Sequence, residues 1–98
     1  MIIELKKFGD VLISRPAGRE AYLAMSAYLL KDVAKDERII IDFSGIKVLT
    51  PSWADEVLIP LAKDYIVDFK NTSNLTVQET LKTLTEFSGL NLNSSTNY

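Results

Sequence analysis

Apolar residues recur along the chain with two periods, and the changes of period mark the elements. Ile2 to Phe8 and Val11 to Ser14 are short β-prone runs separated by Gly9-Asp10, which predicts a hairpin. From Pro16 to about Val33 the period becomes helical: Gly18, Tyr22, Met25, Leu29 and Val33 share a face, flanked by Ser26 and Leu30. Ser14 or Arg15 would cap that helix, with Pro16 in its first turn. Arg38 to Phe43 is apolar on both alternating faces and reads as a central strand. Ser52 to Tyr65 reads as a second helix with Ala54, Val57, Leu58, Leu61 and Tyr65 inward. Pro60 lies inside it, where the missing N–H would kink or break it. Ile66 to Phe69 is a further strand, closed by the turn cluster Asn71-Thr-Ser-Asn.

Thr76-Val-Gln-Glu79 has the form of a capping box and predicts a third helix. Val77, Leu81, Leu84 and Ser88 lie on its inner face with Phe87 beside them, and Gly89 would end it. The order is β-β-α-β-α-β-α. It predicts a single α/β domain over residues 1–90 with a mixed four-stranded sheet, and a flexible polar tail over residues 91–98.

Composition narrows the chemistry. The 98 residues are 47% hydrophobic and 24% charged, those of an ordinary globular domain. Cysteine and histidine are both absent, which excludes thiol nucleophiles, imidazole bases and Cys/His zinc sites. Through Leu49 the chain carries eight basic and seven acidic residues, and after it three and six. No stretch concentrates positive charge, so a nucleic-acid partner is not expected. No apolar run is long enough to span a bilayer and the N-terminus lacks a signal-peptide core, so no membrane partner and a cytoplasmic, bacterial or phage-infected setting are expected.

In an open α/β sheet the functional crevice lies beyond the carboxyl ends of the strands. Ser14-Arg15, Ser44 to Ser52 and Lys70 to Asn74 would meet there. The middle segment carries Asp42-Phe-Ser-Gly-Ile46 and Ser52-Trp-Ala-Asp-Glu56. It resembles the signature of STAS domains, the sulfate-transporter and anti-sigma-factor-antagonist family, in which Asp-Leu-Ser-Gly-Val ends a strand and a serine opens the next helix. It is more similar still to the STAS-like domain of unknown function. That family shows Ser-Arg before the first helix, Asp-Phe-x-Gly-Val at a strand end and Ser-Phe-Ala-Asp-Glu at a helix start. In element order the resemblance spans roughly residues 2 to 90. Two positions depart from the antagonist pattern: Thr50-Pro51 stands where Asp-Ser is usual, and Trp53 where glycine is usual.

The resemblance implies a non-enzymatic regulatory module that binds a protein partner, a histidine-kinase-like ATPase or an anti-sigma-type factor. Ser52 would be the phosphorylated switch, and Arg15, Thr50, Trp53, Asp55 and Glu56 would be partner-binding candidates. From the residues alone, Ser52 with Asp55 three positions on also reads as a plain N-cap. Asp55 and Glu56 suit the positive end of a helix dipole. A magnesium site from Asp42 and Glu56 is conceivable but not favoured, and no catalytic residue, cofactor or metal site is assigned. Two readings fit Trp53: a half-buried interface anchor, or a core residue. The alternative function is an assembly module that homodimerises through a sheet edge without a switch.

Overall fold

The structure, a computed structural model, describes residues 1–90. The tail expected over 91–98 lies outside the described residues. Five strands and three helices follow one another: β1 (Ile2–Glu4), a 3-10 turn (Leu5–Phe8), β2 (Val11–Leu12), α1 (Arg15–Tyr28), β3 (Arg38–Asp42), β4 (Val48–Leu49), α2 (Pro51–Asp64), β5 (Ile66–Lys70) and α3 (Leu75–Phe87). The strands form two all-parallel sheets among the described residues. One has the order β1-β3-β5 and the other pairs β2 with β4.

Two expectations are corrected here. The mixed four-stranded sheet is a three-stranded and a two-stranded parallel sheet. The hairpin across Gly9-Asp10 does not form, because β1 pairs with β3 (Ile2 opposite Ile40) while β2 pairs with β4 (Leu12 opposite Leu49). The reason lies in side-chain alternation. Ile3 and Leu5 are both buried, and continuing the strand would carry Lys7 onto the same core face. The 3-10 turn breaks the alternation, and Gly9 (φ +124°) turns the chain into the second sheet.

The β3 strand sits centrally, as expected, but is buried on one face. Ile39 and Ile41 point inward with Ile3, Val67 and Phe69, while Ile40 is half-buried. The rings of Phe43 and Phe69 meet at 5.8 Å between centroids in a tilted arrangement.

Ser14 caps α1, its hydroxyl accepting the Ala17 amide at 3.2 Å, with Pro16 in the first turn. The helix ends at Tyr28 rather than near Val33. Both Leu29 and Leu30 donate to the Met25 carbonyl, and the wider i→i−5 closure by Leu30 ends the helix with Leu30 instead of Leu29 in the core. In α2 the chain stays helical through Pro60, so the expected break does not occur. The cap of α3 is Asn74 and not Thr76: its Oδ1 accepts the amides of Thr76 and Val77 at 2.8 and 3.2 Å. Gly89 ends that helix as expected, its φ of +75° returning the Leu90 amide to the Leu84 carbonyl. Phe87, placed by its spacing near the inner face, is 80% exposed.

Candidate interaction site at the start of helix α2

The turn from β4 into α2 is built by Thr50. Its amide donates to the Leu12 carbonyl at 3.0 Å, which extends the β2–β4 ladder by one bond. Its hydroxyl donates to the Ile13 carbonyl at 2.6 Å, which turns the side chain toward the end of β2, and its oxygen accepts no amide of the helix. Thr50 is therefore the N-cap by position only, and no side chain caps α2. Pro51 follows in the first turn, where its missing N–H costs nothing.

Ser52 comes next, exposed, with its hydroxyl making no hydrogen bond among the described residues. The capping role expected for it is corrected: Ser52 lies inside the helix, two residues past Thr50, the position from which a side chain would reach the first-turn amides.

Trp53 is 1% exposed and belongs to the core. Of the two readings of Trp53, the core residue agrees with the structure and the half-buried interface anchor is corrected, since the indole is out of a partner's reach. Gly18 makes this burial feasible. A Cβ at position 18 would stand 2.6 Å from the Trp53 carbonyl oxygen, so only glycine lets α1 approach α2 this closely.

Next to this contact the two helices are joined by charge. Arg15 Nη1 donates to Asp55 Oδ2 at 2.8 Å and to Glu56 Oε2 at 3.0 Å, and Arg19 Nε donates to Glu56 Oε1 at 3.1 Å. Hydrogen bonds to Asp55 first and Glu56 second hold the Arg15 guanidinium protonated above its ordinary value. Asp55 and Glu56 thus answer α1 rather than the α2 dipole, since neither is in the first turn. The structure brings Arg15, Asp55 and Glu56 together and sets Thr50 and Ser52 one turn away. Only Trp53 of the candidates leaves the surface.

A second polar cluster lies beyond the carboxyl ends of β3 and β5. Asp42 Oδ1 accepts the Ser44 amide at 2.9 Å and Asn71 Nδ2 at 2.8 Å, and Asn71 also reaches the Ser44 hydroxyl oxygen at 2.8 Å. Desolvation pushes the Asp42 carboxyl up, but the bonds from Asn71 and Ser44 and the charge of Lys70 together hold it below its ordinary value. Asn71 occupies the left-handed region (φ +59°), which suits an asparagine at a turn. A cavity of about 450 Å³ opens beside this cluster, lined by Ser44, Gly45, Asn71, Ser73 and Asn74 among others. Asp42 and Glu56, considered together as magnesium ligands, have separate partners. Among the described residues no three acidic side chains converge on a metal position.

Sequence reasoning missed Asn74. Besides capping α3, its Nδ2 donates to the carbonyls of Ile46 and Lys47 at 3.2 and 3.0 Å, holding the β3–β4 loop in place. The turn cluster Asn71 to Asn74 was the available signal, but its partners lie 27 and 28 residues away.

A family described as the STAS-like domain of unknown function matches residues 27–76, just over half of the chain. The chain belongs to this STAS-like family. The matched span contains β3, β4, α2 and β5 and so the whole Ser52 turn. The STAS-like domain matches no curated protein and no solved structure. Among its described residues no helix is long and apolar enough to cross a membrane.

Proposed function

We propose that this STAS-like domain is a non-enzymatic, cytoplasmic regulatory module that binds a protein partner through the Ser52 turn and the exposed side of α2. The partner on this reading is a histidine-kinase-like ATPase or an anti-sigma-type factor, and phosphorylation of Ser52 switches the binding. The observation that carries the reading is the state of Ser52. Its hydroxyl is exposed, unbonded and placed at the uncapped start of a helix whose neighbouring residue is anchored in the core.

A phosphate there adds about −1.5 to −2 charges at pH 7. The positive end of α2 accommodates it, and the nearby carboxylates of Asp55 and Glu56 are already answered by Arg15 and Arg19. The fold therefore tolerates the modification, while a partner at the same surface meets a hydrated dianion.

The test is incubation of the intact chain with ATP and a purified histidine-kinase-like ATPase, with the modified position read by mass spectrometry. The expected result is a phosphate on Ser52, absent from Ser52→Ala, and weaker partner binding by the phosphorylated form. Modification elsewhere, or equal affinity of both forms, sinks the switch.

A second reading, self-assembly through a sheet edge, has β2 in its favour. Asp10 and Leu12 bond to β4, so the alternating residues Val11 and Ile13 turn their amides away from it, and both side chains are exposed. Sedimentation of the intact chain separates the two readings, since the switch module needs no second copy.

A further inference from the structure

A groove of about 360 Å³ runs from the β4–α2 turn along α3, sharing Thr50 and Pro51 with the turn that presents Ser52. By residue name it looks polar, because four threonines line it. The hydrogen bonds show otherwise. Thr50 donates to the Ile13 carbonyl at 2.6 Å, Thr76 to Asn74 Oδ1 at 2.6 Å, Thr80 to the Leu49 carbonyl at 2.8 Å and Thr83 to the Glu79 carbonyl at 3.0 Å.

Each hydroxyl proton is spent inside the protein, so none of the four threonines has a donor left for an occupant. One of these bonds, together with a bond from the Leu49 amide, also closes the outer edge of β4. The Leu49 amide donates to Thr76 Oγ1 at 3.0 Å while its carbonyl takes the Thr80 proton, so no strand can add there. At the rim Leu75, the first residue of α3, is 68% exposed. Glu79 is the single charged residue of the lining and makes no ion pair among the described residues.

We propose that this groove docks a segment of a partner protein in which an apolar side chain stands next to a lysine or arginine. The apolar side chain meets Leu75, Pro51 and the threonine methyls, and the cation answers Glu79. This charge complementarity selects the occupant. With no hydroxyl proton left to donate, the floor presents mainly apolar surface, and the one charged demand on an occupant is that of the Glu79 carboxylate. The inference rests on the reading of the Ser52 turn as an interaction surface in taking the occupant to be a protein. It goes beyond that reading in assigning a different set of contacts.

The experiment uses two short synthetic peptides that share a leucine and differ only in a flanking lysine or glutamate, titrated into the isotope-labelled intact chain. The expected result is saturable shifts of the amides of Val48, Leu75 and Thr83 with the lysine peptide, and affinity at least about tenfold lower for the glutamate peptide. Leu75→Asp should abolish the shifts, and Glu79→Lys should reverse the preference. Both positions are exposed, and an aspartate suits the start of a helix, so both variants should keep the amide spectrum of the folded chain.

Equal binding of the two peptides, a preference unmoved by Glu79→Lys, shifts confined to other surfaces, or no saturable binding overturns the proposal. Concentration-dependent shifts without peptide point to a second copy and overturn it equally. Peptide docking with no Ser52 phosphorylation would leave the groove and remove the switch. Phosphorylation-sensitive ATPase binding untouched by Leu75→Asp would do the reverse.

Discussion

Gly18 of α1 and Trp53 of α2 meet backbone to backbone, and a single added carbon at position 18 would lie 2.6 Å from the Trp53 carbonyl oxygen and 3.1 Å from its Cα. Neither atom belongs to a flexible side chain, so the clash is relieved only by moving a helix. Gly18→Ala gains about 1 kcal/mol of helix propensity. Overpacking against backbone costs about 1–3 kcal/mol or more, and the separation of the helices adds to it. The expected net result is destabilisation by about 1–3 kcal/mol, read as a lower urea midpoint. An unchanged or raised midpoint would show that the helices can part freely.

Trp53 is the chain's single tryptophan and is buried, which makes it its own reporter. Native emission should be blue-shifted and should move red in one transition with urea. Trp53→Ala should cost about 3–5 kcal/mol, as other buried aromatics do. A domain of this size has a total stability of about 5–15 kcal/mol, so that variant should be close to unfolding at room temperature. Circular dichroism, which does not need the indole, measures the loss. A well-folded Trp53→Ala with a small shift would contradict the buried position.

Two serines at helix starts should behave differently. Ser14 caps α1 with its hydroxyl, and Ser14→Ala should cost about 0.5–2 kcal/mol. Ser52 caps nothing, and Ser52→Ala should stay within about 0.5 kcal/mol of the parent. Paired urea titrations measure both. A large loss at Ser52 would mean that its hydroxyl supports α2 after all.

The contrast between these serines shows what can be read from a sequence. Ser14 was legible because its bond is local, three residues long. Ser52 looked equally like a cap. What displaced it is a contact 37 residues away, where Thr50 is pinned to β2 and starts the helix early. Asn74 displaced Thr76 for the same kind of reason, since its amide also holds the Ile46 and Lys47 carbonyls. Helix periods along α1, α2 and α3 are local and were readable. Strand partners are not, so two parallel pairings passed for a hairpin and one sheet. In the candidate site, the motif from Asp42 to Glu56 marked the turn that carries Ser52. Nothing in the spacing foretold that Arg15, 40 residues from Asp55, would bridge it and Glu56. The choice between the two readings of Trp53 was hidden in the same way, because its burial depends on a glycine in another helix.

Asp42 should make folding sensitive to acid. Desolvation acts to raise its carboxyl, and the Asn71 side chain, the Ser44 amide and hydroxyl and the charge of Lys70 outweigh it, leaving the folded value below the ordinary 3.8. A group whose folded pKa is depressed binds its proton more readily in the unfolded chain. Its stabilising contribution is therefore complete above the unfolded value and is lost as pH falls through the folded one. The other groups facing it are the Ser44 and Asn71 donors and Lys70, its register partner on β5, none of which changes charge in that range. Stability measured by urea between about pH 5 and about pH 2 should fall in the parent and fall less steeply in Asp42→Asn, which has no proton to gain. The difference between the two slopes isolates Asp42 from the other carboxylates, which both proteins share. If the two curves run parallel down to the lowest pH, the bonds from Asn71 and Ser44 do not favour the charged carboxylate. The Asp42 cluster would then be held together by geometry alone.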